Sequence, residues 1–263
     1  MESALKRCPL EFLEVAVRLA DEVRPIVDRY FRANPETEQK ANRTPVTVAD
    51  RLVELCLREG IEESYPSHGI VGEEFGTSNA EAEFVWVLDP IDGTHAFICG
   101  LPLFGTLISL THEGRPLLGI MDQAITAERW IGAAGLRATL NDLEVTVRSC
   151  SALEDALVCM PSPDYFRGPD IPPFEAMREA VKYVRFGTSC YGYGLLASGH
   201  VDLVMDASLN PYDYMAQVSI VESAGGVMTD WEGRRLSLEL GATRVIAAGD
   251  PALHAKALDV LAC

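Results

Sequence analysis

An apolar run from Phe84 to Leu88 leads directly into Asp89 and Asp92, and this step from apolar to acidic residues places the tightest constraint on the fold. The run is typical of a short buried strand that delivers Asp89 at its carboxyl end. Pro90 is expected to stop a regular ladder, because proline has no N–H to donate, and Gly93 allows the backbone to approach a ligand closely. Two carboxylates in such a turn can converge on one cation or bridge two. The competing interpretation is a turn with two solvated aspartates, which is the commoner outcome for the bare spacing.

Hydrophobic periodicity predicts two helices and then a sheet in the first part of the chain. Apolar residues at helical spacing predict a long amphipathic helix over 3–31, which Pro25 is expected to bend or interrupt. Thr47 and Asp50 precede a second apolar repeat and predict a helix with a polar start. Strand-like runs follow at 69–72, 84–88, 104–110, 117–122, 129–132 and 143–147. They predict a largely antiparallel sheet, so residues 1–148 are expected to form an α+β half.

Strands alternate with helices from residue 149 onward, which predicts an α/β half over 149–263. Strands are expected at 157–160, 183–186, 201–205, 227–229 and 245–248. Helices are expected at 174–181, 191–198, 213–224 and 252–261, after a proline-rich loop at 161–173. The fold class is therefore α/β, with the α+β half at the amino-terminal end.

Charge and cysteine content exclude several classes of protein. A formal net charge of −17 argues against a nucleic-acid-binding protein, which would carry a basic face. An anionic substrate is still allowed, because cations held by carboxylates supply local positive charge. The seven cysteines include no CxxC pair, so neither a disulfide framework nor a zinc site is expected, and a reducing cytoplasm fits best. No signal-peptide core or bilayer-spanning apolar run is found, so no membrane association is expected.

Three further acidic residues become candidate site residues only in combination. Glu73 lies at the end of a predicted short strand, and Asp213 opens a predicted helix after Pro211 and Tyr212. Asp50 lies at the start of the second helix. Taken singly, a loop glutamate is usually solvated, and an aspartate in the first turn of a helix is favoured by the helix dipole.

Three motifs together resemble the signature of the inositol-monophosphatase superfamily. They are GEEFG at 72–76, WVLDPIDGT at 86–94 and PYDYMAQVSIVESAGG at 211–226. They occur in the family's order and spacing, and the match covers essentially the whole chain. The resemblance implies a layered αβαβα sandwich with the active site in the cleft between 1–148 and 149–263. It also implies a small phosphate monoester as substrate and a homodimer as the assembly.

The resemblance implies a set of ligands for two or three Mg²⁺ ions. Glu73, Asp89 and the carbonyl oxygen of Ile91 would hold one ion. Asp89, Asp92 and Asp213 would hold a second, so Asp89 would bridge the two. Glu73 would also help to position the attacking water, together with a third and weaker metal. Hydrolysis of a phosphate monoester needs charge neutralisation and an in-line water more than covalent chemistry, which agrees with this ligand set.

The same resemblance implies catalytic and phosphate-binding roles beside the metals. The backbone N–H groups of Gly93 and Thr94 would receive the phosphate, as N–H groups at a helix start do. Thr94 with Asp50 would orient and deprotonate the water. Lys40 lies in a polar loop where the family has a mobile lysine segment, and it would contact the substrate.

Other segments indicate the member of the superfamily. The runs GLPLFGTLI at 100–108, NPYD at 210–213 and TDWEG at 229–233 are more similar to histidinol-phosphate phosphatases than to inositol enzymes. Asp206 would contact the organic part of the substrate, and its carboxylate suits the amine of histidinol. His95 would also lie beside the substrate, although the histidinol-type enzymes are expected to carry Arg or Lys there. We therefore expect a histidinol-phosphate phosphatase of histidine biosynthesis, with inositol 1-phosphate or another small sugar or nucleotide phosphate as the alternative substrate.

Rival classes fit the motifs less well. A haloacid-dehalogenase-type phosphatase has two aspartates separated by one residue, whereas two residues separate Asp89 from Asp92. A non-catalytic metal-binding protein would not need Thr94 or Asp50. A nucleotide 3′-phosphatase normally has Leu at the position of Ile91, and a fructose-bisphosphatase remains open.

Overall fold

The structure, a computed structural model, describes residues 7–33, 37–39 and 45–262. Lys40 lies outside the described residues. None of the helices in the described part of the chain is long and apolar enough to cross a bilayer. Two short strands, β1 (Thr37–Gln39) and β2 (Pro45–Thr47), form an antiparallel pair ahead of the main sheets.

Helix α1 (Leu10–Tyr30) is shorter than predicted and is not interrupted by proline. It begins after Pro9, which has extended backbone angles and disfavours helix in the residue before it. Pro25 lies inside the helix, so the expected interruption was wrong. A proline inside a helix costs about 3 kcal/mol, because it removes one hydrogen bond and its ring clashes with the preceding turn. The helix nevertheless continues because its apolar face, from Phe12 to Val27, is buried in the core.

Helix α2 (Val48–Ser64) begins with the polar cap that the sequence predicts. The Thr47 side chain accepts hydrogen bonds from the N–H groups of Ala49 and Asp50. The Asp50 carboxylate in turn accepts from the Thr47 N–H at 2.9 Å. This reciprocal capping box satisfies N–H groups that the first turn leaves without helical partners. It also fixes the Asp50 side chain at the end of the helix.

The first large sheet has eight strands and confirms the mainly antiparallel prediction. Its strands are β3 (Gly69–Gly72), β4 (Gly76–Ser78), β5 (Phe84–Asp92), β6 (Gly105–His112), β7 (Arg115–Gln123), β8 (Glu128–Ala133), β9 (Thr139–Leu140) and β10 (Leu143–Glu144). Their spatial order is β10-β9-β8-β7-β6-β5-β3-β4, and only the β3–β5 pair is parallel among the pairs described. The strand expected over 143–147 ends early, because Val147 donates its N–H to the carbonyl of Ala224 outside the sheet.

The second sheet has five strands and alternates with helices as predicted. Its strands are β11 (Leu157–Met160), β12 (Tyr183–Phe186), β13 (Leu203–Leu209), β14 (Val227–Asp230) and β15 (Thr243–Ala248). Their order is β12-β11-β13-β15-β14. The remaining helices are α3 (Thr94–Ile98), α4 (Ile171–Ala180), α5 (Tyr191–Ala197), α6 (Pro211–Ser223) and α7 (Pro251–Leu261). The proline-rich segment contains two short 3₁₀ turns, Pro163–Tyr165 and Gly168–Asp170.

These elements form five layers, which confirms the αβαβα sandwich. Helices α1 and α2 cover one face of the first sheet, and α4 and α7 cover the outer face of the second. Helices α5 and α6 lie between the sheets. Gly119 in β7 allows α6 to pack closely on the first sheet, because a Cβ atom at this position would lie 2.1 Å from the carbonyl oxygen of Ala216.

A partly buried aromatic cluster makes one contribution to stability depend on pH. His68 stacks on Tyr65 with ring centroids 4.5 Å apart, and its Nδ1 accepts from the indole N–H of Trp86 at 3.1 Å. Burial lowers the pKa of His68, against the opposing charge of Glu83. The unfolded chain therefore binds a proton more readily than the folded protein. This stabilisation is present above the unfolded pKa of about 6.5 and is lost as pH falls through the lower folded value.

We expect the stability difference between wild type and His68→Asn to shrink between pH 7.5 and pH 5. Chemical denaturation at several pH values measures this difference. His200 is exposed, so His200→Asn serves as the matched control and should show a constant difference. A His68→Asn difference that stays constant over the same range would contradict the assignment.

Candidate active site

The end of β5 places two carboxylates side by side. The β5–β6 ladder is regular up to Asp89, shifts register, and resumes at Asp92. Pro90 interrupts the regular ladder as expected. The strand nevertheless continues to Asp92, and the Pro90 carbonyl accepts from the Thr106 hydroxyl at 2.8 Å. The N–H of Ile91 donates to Asp89 Oδ1 at 3.0 Å, which orients the Asp89 carboxylate.

Gly93 turns the chain from β5 into α3. Its φ of +86° lies in the left-handed region that favours glycine. A Cβ atom here would lie 2.8 Å from Ser189 Oγ and 2.9 Å from the Leu103 carbonyl oxygen. The position therefore requires glycine for both conformation and space. Directly after the turn, the Thr94 hydroxyl donates to the Ile91 carbonyl at 3.1 Å.

The first turn of α6 brings a third carboxylate to the same place. Asp213 Oδ2 accepts from the Asn210 N–H at 2.6 Å, so part of its role is the helix-start role that the sequence allows. Asp89, Asp92 and Asp213 each offer a carboxylate oxygen, and the three atoms lie within 4.8 Å of one another. Residues remote in sequence are thus brought into one acidic cluster.

Glu73 joins this cluster from the neighbouring strand. It follows β3, which is parallel to β5, and its N–H donates to the Leu88 carbonyl at 3.2 Å. Its carboxyl group lies near that of Asp89, and its charge contributes to raising the pKa values of Asp89, Asp92 and Asp213. The carboxyl ends of adjacent parallel strands meet at one edge of the sheet, which explains the proximity.

Burial and mutual repulsion disfavour ionisation of these acids. Burial, followed by the charges of neighbouring carboxylates, holds the pKa values of Asp89 and Asp213 well above their usual range. Burial also raises the pKa of Asp92 to about 6, although the Cys190 N–H, donating to Asp92 at 2.6 Å, opposes the shift. A divalent cation would relieve this repulsion, and an all-oxygen donor set fits Mg²⁺.

Asp50 lies beside the acidic cluster, and one of its two carboxylate oxygens accepts hydrogen bonds. Its Oδ2 accepts from both the N–H and the hydroxyl of Thr47, the latter at 2.5 Å. Its Oδ1 is buried and has no hydrogen-bond partner among the described residues. Burial is the main cause that raises the pKa of Asp50 to about 6, and the charge of Glu73 adds to it. The hydrogen bonds of Asp50 and Thr94 described here go to other partners, so these two residues are not paired directly.

Asp206 and His95 belong to two other elements near the acidic cluster. Asp206 in β13 accepts from the Tyr193 hydroxyl at 3.0 Å. Burial raises its pKa to about 8, the Tyr193 hydrogen bond opposes this, and the charge of Asp92 adds to it. His95 is exposed on α3, and its Nδ1 lies 3.1 Å from the hydroxyl of Tyr165.

Sequence reasoning missed Tyr165 and the Cys190 N–H. Tyr165 belongs to the 3₁₀ turn Pro163–Tyr165, and its pKa is raised by burial and then by the charges of Asp92, Asp206 and Asp213. Its phenol therefore faces the acidic cluster from the second half of the chain. A proline-rich segment gives no side-chain pattern for such a contact. The Cys190 contact is made by its backbone N–H, so its side chain gives no sequence signal for it. The GTS turn at 187–189, between β12 and α5, was the signal that could have indicated a backbone contact here.

A five-layer sandwich that gathers buried carboxylates where a strand ends and a helix begins is the architecture of one class of hydrolase, the phosphatases of small phosphate esters. Residues 9–262 match the sequence profile of the inositol monophosphatase family, and the chain belongs to that family. Catalysis in this family is metal-dependent. The resemblance drawn from the three motifs is thereby confirmed.

Relatives of known name include more than one kind of phosphatase. The bifunctional phosphatase IMPL2, chloroplastic, of Arabidopsis thaliana is 43% identical over 258 residues, which cover 95% of this chain and 75% of that protein. A histidinol-phosphatase of Chlorobaculum parvum is 34% identical over 225 residues, which cover 85% and 87%. The solved structure of an inositol monophosphatase from Zymomonas mobilis superposes with a TM-score of 0.89 at 43% identity, covering 96% of this chain and 98% of that one.

Proposed function

We propose that this phosphatase is Mg²⁺-dependent and that its substrate is histidinol phosphate. The observation that carries the catalytic part is the convergence of Asp89, Asp92 and Asp213, with the charge of Glu73 close to Asp89. The histidinol assignment is supported by the position of Asp206 and by the names of relatives. Phosphate release from a panel of small phosphate esters, with and without Mg²⁺, tests both parts.

The chain's residues fit two or three Mg²⁺ ions. Glu73, Asp89 and the Ile91 carbonyl would hold one, and Asp89, Asp92 and Asp213 a second. The Ile91 oxygen has two lone pairs, so it can accept from Thr94 and still act as a ligand. When bound, such ions neutralise phosphate charge and lower the pKa of water.

The remaining roles fall to backbone and side chains around the turn at Gly93. The N–H groups of Gly93 and Thr94, where the chain enters α3, would receive phosphate oxygens. The Thr94 hydroxyl would orient the attacking water, and Asp50 would take up the proton. Asp50 Oδ1 suits this role because it is buried without a partner among the described residues.

Asp206 supports an amine-bearing substrate. Its buried carboxyl group, with a pKa of about 8, is held mainly protonated at neutral pH. A protonated amine nearby favours the ionised form, so binding of the amine releases a proton from Asp206. Amine affinity should therefore rise with pH up to about 8. Tyr165 and His95, joined by a hydrogen bond, would cover the organic part of the substrate from the opposite side.

We expect kcat/KM for histidinol phosphate to exceed that for inositol 1-phosphate by at least about tenfold. A charge-assisted contact contributes ~1.5–3 kcal/mol, and each 1.4 kcal/mol is about tenfold. Asp206→Asn should narrow the gap, chiefly by lowering the rate with the amine substrate. The ratio should reach this value above about pH 8, where Asp206 is ionised, and be smaller at neutral pH. Competition between both substrates at saturating Mg²⁺ and at each pH measures it.

Asp142 is exposed in the turn between β9 and β10, so Asp142→Asn is the control and should leave the ratio unchanged. Preference for inositol 1-phosphate would make the histidinol assignment wrong. The Zymomonas structure favours that second candidate, because its name specifies an inositol monophosphatase at 43% identity. A cytoplasmic location and a homodimeric assembly remain predictions from the cysteine content and the family resemblance.

A further inference from the structure

We propose that Glu54 is a positioning residue that holds the Glu73 loop in place and thereby sets the cation affinity of the site without contacting the cations. This inference rests on the proposed function, because it assumes that Glu73 is a metal ligand. Glu54 lies on α2, one helical turn after Asp50, and both side chains are fully buried. A buried carboxylate is costly unless it is paired and hydrogen-bonded, so its partners indicate its role.

The partners of Glu54 are the residues that follow Glu73. Glu54 Oε2 accepts from the Glu74 N–H at 2.6 Å, and Oε1 accepts from the Phe75 N–H at 3.1 Å. Oε1 also accepts from Arg58 Nε at 2.8 Å. One side chain thus binds two successive backbone N–H groups directly after the proposed ligand.

Glu54 also packs against Gly72, the residue that precedes Glu73. A Cβ atom at Gly72 would lie 2.0 Å from Glu54 Oε1, so the last residue of β3 packs directly on the carboxylate. Arg58 extends the contact by donating to the Gly76 carbonyl. Glu54 and Arg58 together form what we call the 72–76 clamp, because they contact the chain before and after Glu73.

The loop needs such a clamp for two physical reasons. It lies between β3 and β4, and β4 is a three-residue edge strand whose side chains are all exposed. In addition, Glu73 faces the acidic residues Asp89, Asp92 and Asp213, so like charges push it away from the site. A neutral side chain at position 54 would weaken the only described carboxylate contacts to the N–H groups of Glu74 and Phe75.

Glu54→Gln tests the clamp by direct measurement of Mg²⁺ binding with isothermal calorimetry. The amide keeps the shape and one acceptor oxygen, but it loses the second acceptor and the charge paired with Arg58. We expect the Kd for Mg²⁺ to rise by about 10- to 100-fold, the range for residues that support metal ligands. The kcat at saturating Mg²⁺ should fall far less, by under about threefold on the same scale.

Asp202→Asn is the matched control for a purely structural effect. Asp202 is also buried, pairs with Arg148 through both oxygens at 2.7 and 2.6 Å, and accepts from the Leu157 N–H at 2.7 Å. Its replacement should lower Tm but leave the Kd for Mg²⁺ unchanged. If Glu54→Gln does not fold, Arg58→Gln removes the Gly76 contact and should raise the Kd by about three- to tenfold, less than the full range for such support.

The outcomes separate the clamp from the proposed function. If wild type binds no Mg²⁺, the proposed function fails. If wild type binds Mg²⁺ and folded Glu54→Gln, or Arg58→Gln in its place, binds it equally well, only the clamp is wrong. An equal loss of affinity in Asp202→Asn would also overturn the clamp, because the effect would then be general destabilisation.

Discussion

Asp89→Asn is expected to abolish phosphate release, by at least about a thousandfold, while the protein stays folded. Asp89 is proposed to bridge two cations, and such charge neutralisation supplies several kcal/mol, with about 1.4 kcal/mol for each factor of ten. The amide oxygen can still accept from the Ile91 N–H that orients the side chain. Initial rates at saturating Mg²⁺ measure the loss, and circular dichroism checks the fold.

The stability of Asp89→Asn should change in the opposite direction from its activity. Without metal, burial and then the charges of neighbouring carboxylates raise the pKa of Asp89, so a neutral amide avoids the cost of a buried charge and should raise Tm in EDTA. Added Mg²⁺ should stabilise wild type and have little effect on the variant. Substantial turnover by folded Asp89→Asn, or by wild type in excess EDTA, would rule out the two-metal mechanism.

Thr94→Ala should lower kcat by ~10²–10⁴-fold, the usual range for a positioned proton-transfer group. In the proposed mechanism the Thr94 hydroxyl orients the attacking water, and Asp50 takes up the proton. Because the backbone N–H of position 94 is unchanged, substrate affinity should fall much less than kcat. Steady-state kinetics at several Mg²⁺ concentrations separate the two parameters.

Thr94→Ser provides the matched control, since it keeps the hydroxyl and should retain most of the rate. Excess Mg²⁺ should not restore Thr94→Ala. Full restoration would mean that Thr94 only supports the metal site, through its hydrogen bond to the Ile91 carbonyl. The proton path through Asp50 would then be wrong.

The fold could be predicted from sequence wherever local pattern and tertiary packing agree. The apolar run at 84–88, the Thr47 cap and the alternation after residue 149 each indicated the correct element. The interruption of α1 at Pro25 was a wrong prediction, because burial of the apolar face of the helix outweighs the cost of the proline. Pro90 interrupts the regular ladder as expected, although pairing resumes at Asp92.

The candidate site could be predicted only as far as its motifs reach. Asp89, Asp92 and Asp213 lie together as expected, while their role as metal ligands stays a prediction. Glu54 and Tyr165 belong to no motif of the resemblance, and their contacts depend on how distant segments approach one another. The contact from the Cys190 N–H to Asp92 involves backbone, so no residue type at position 190 specifies it.

Gly119 helps to align α6, which carries Asp213, with β5, which carries Asp89 and Asp92. Because the protein interior is close-packed and nearly incompressible, a side chain added at this position would have to displace the backbone of α6 at Ala216. Asp213 lies one turn earlier on the same rigid helix and would move with it, whereas Asp89 and Asp92 would stay with β5. The position of Asp213 relative to the two aspartates of β5 therefore depends on the absence of a side chain in a strand that contributes no group to the acidic cluster.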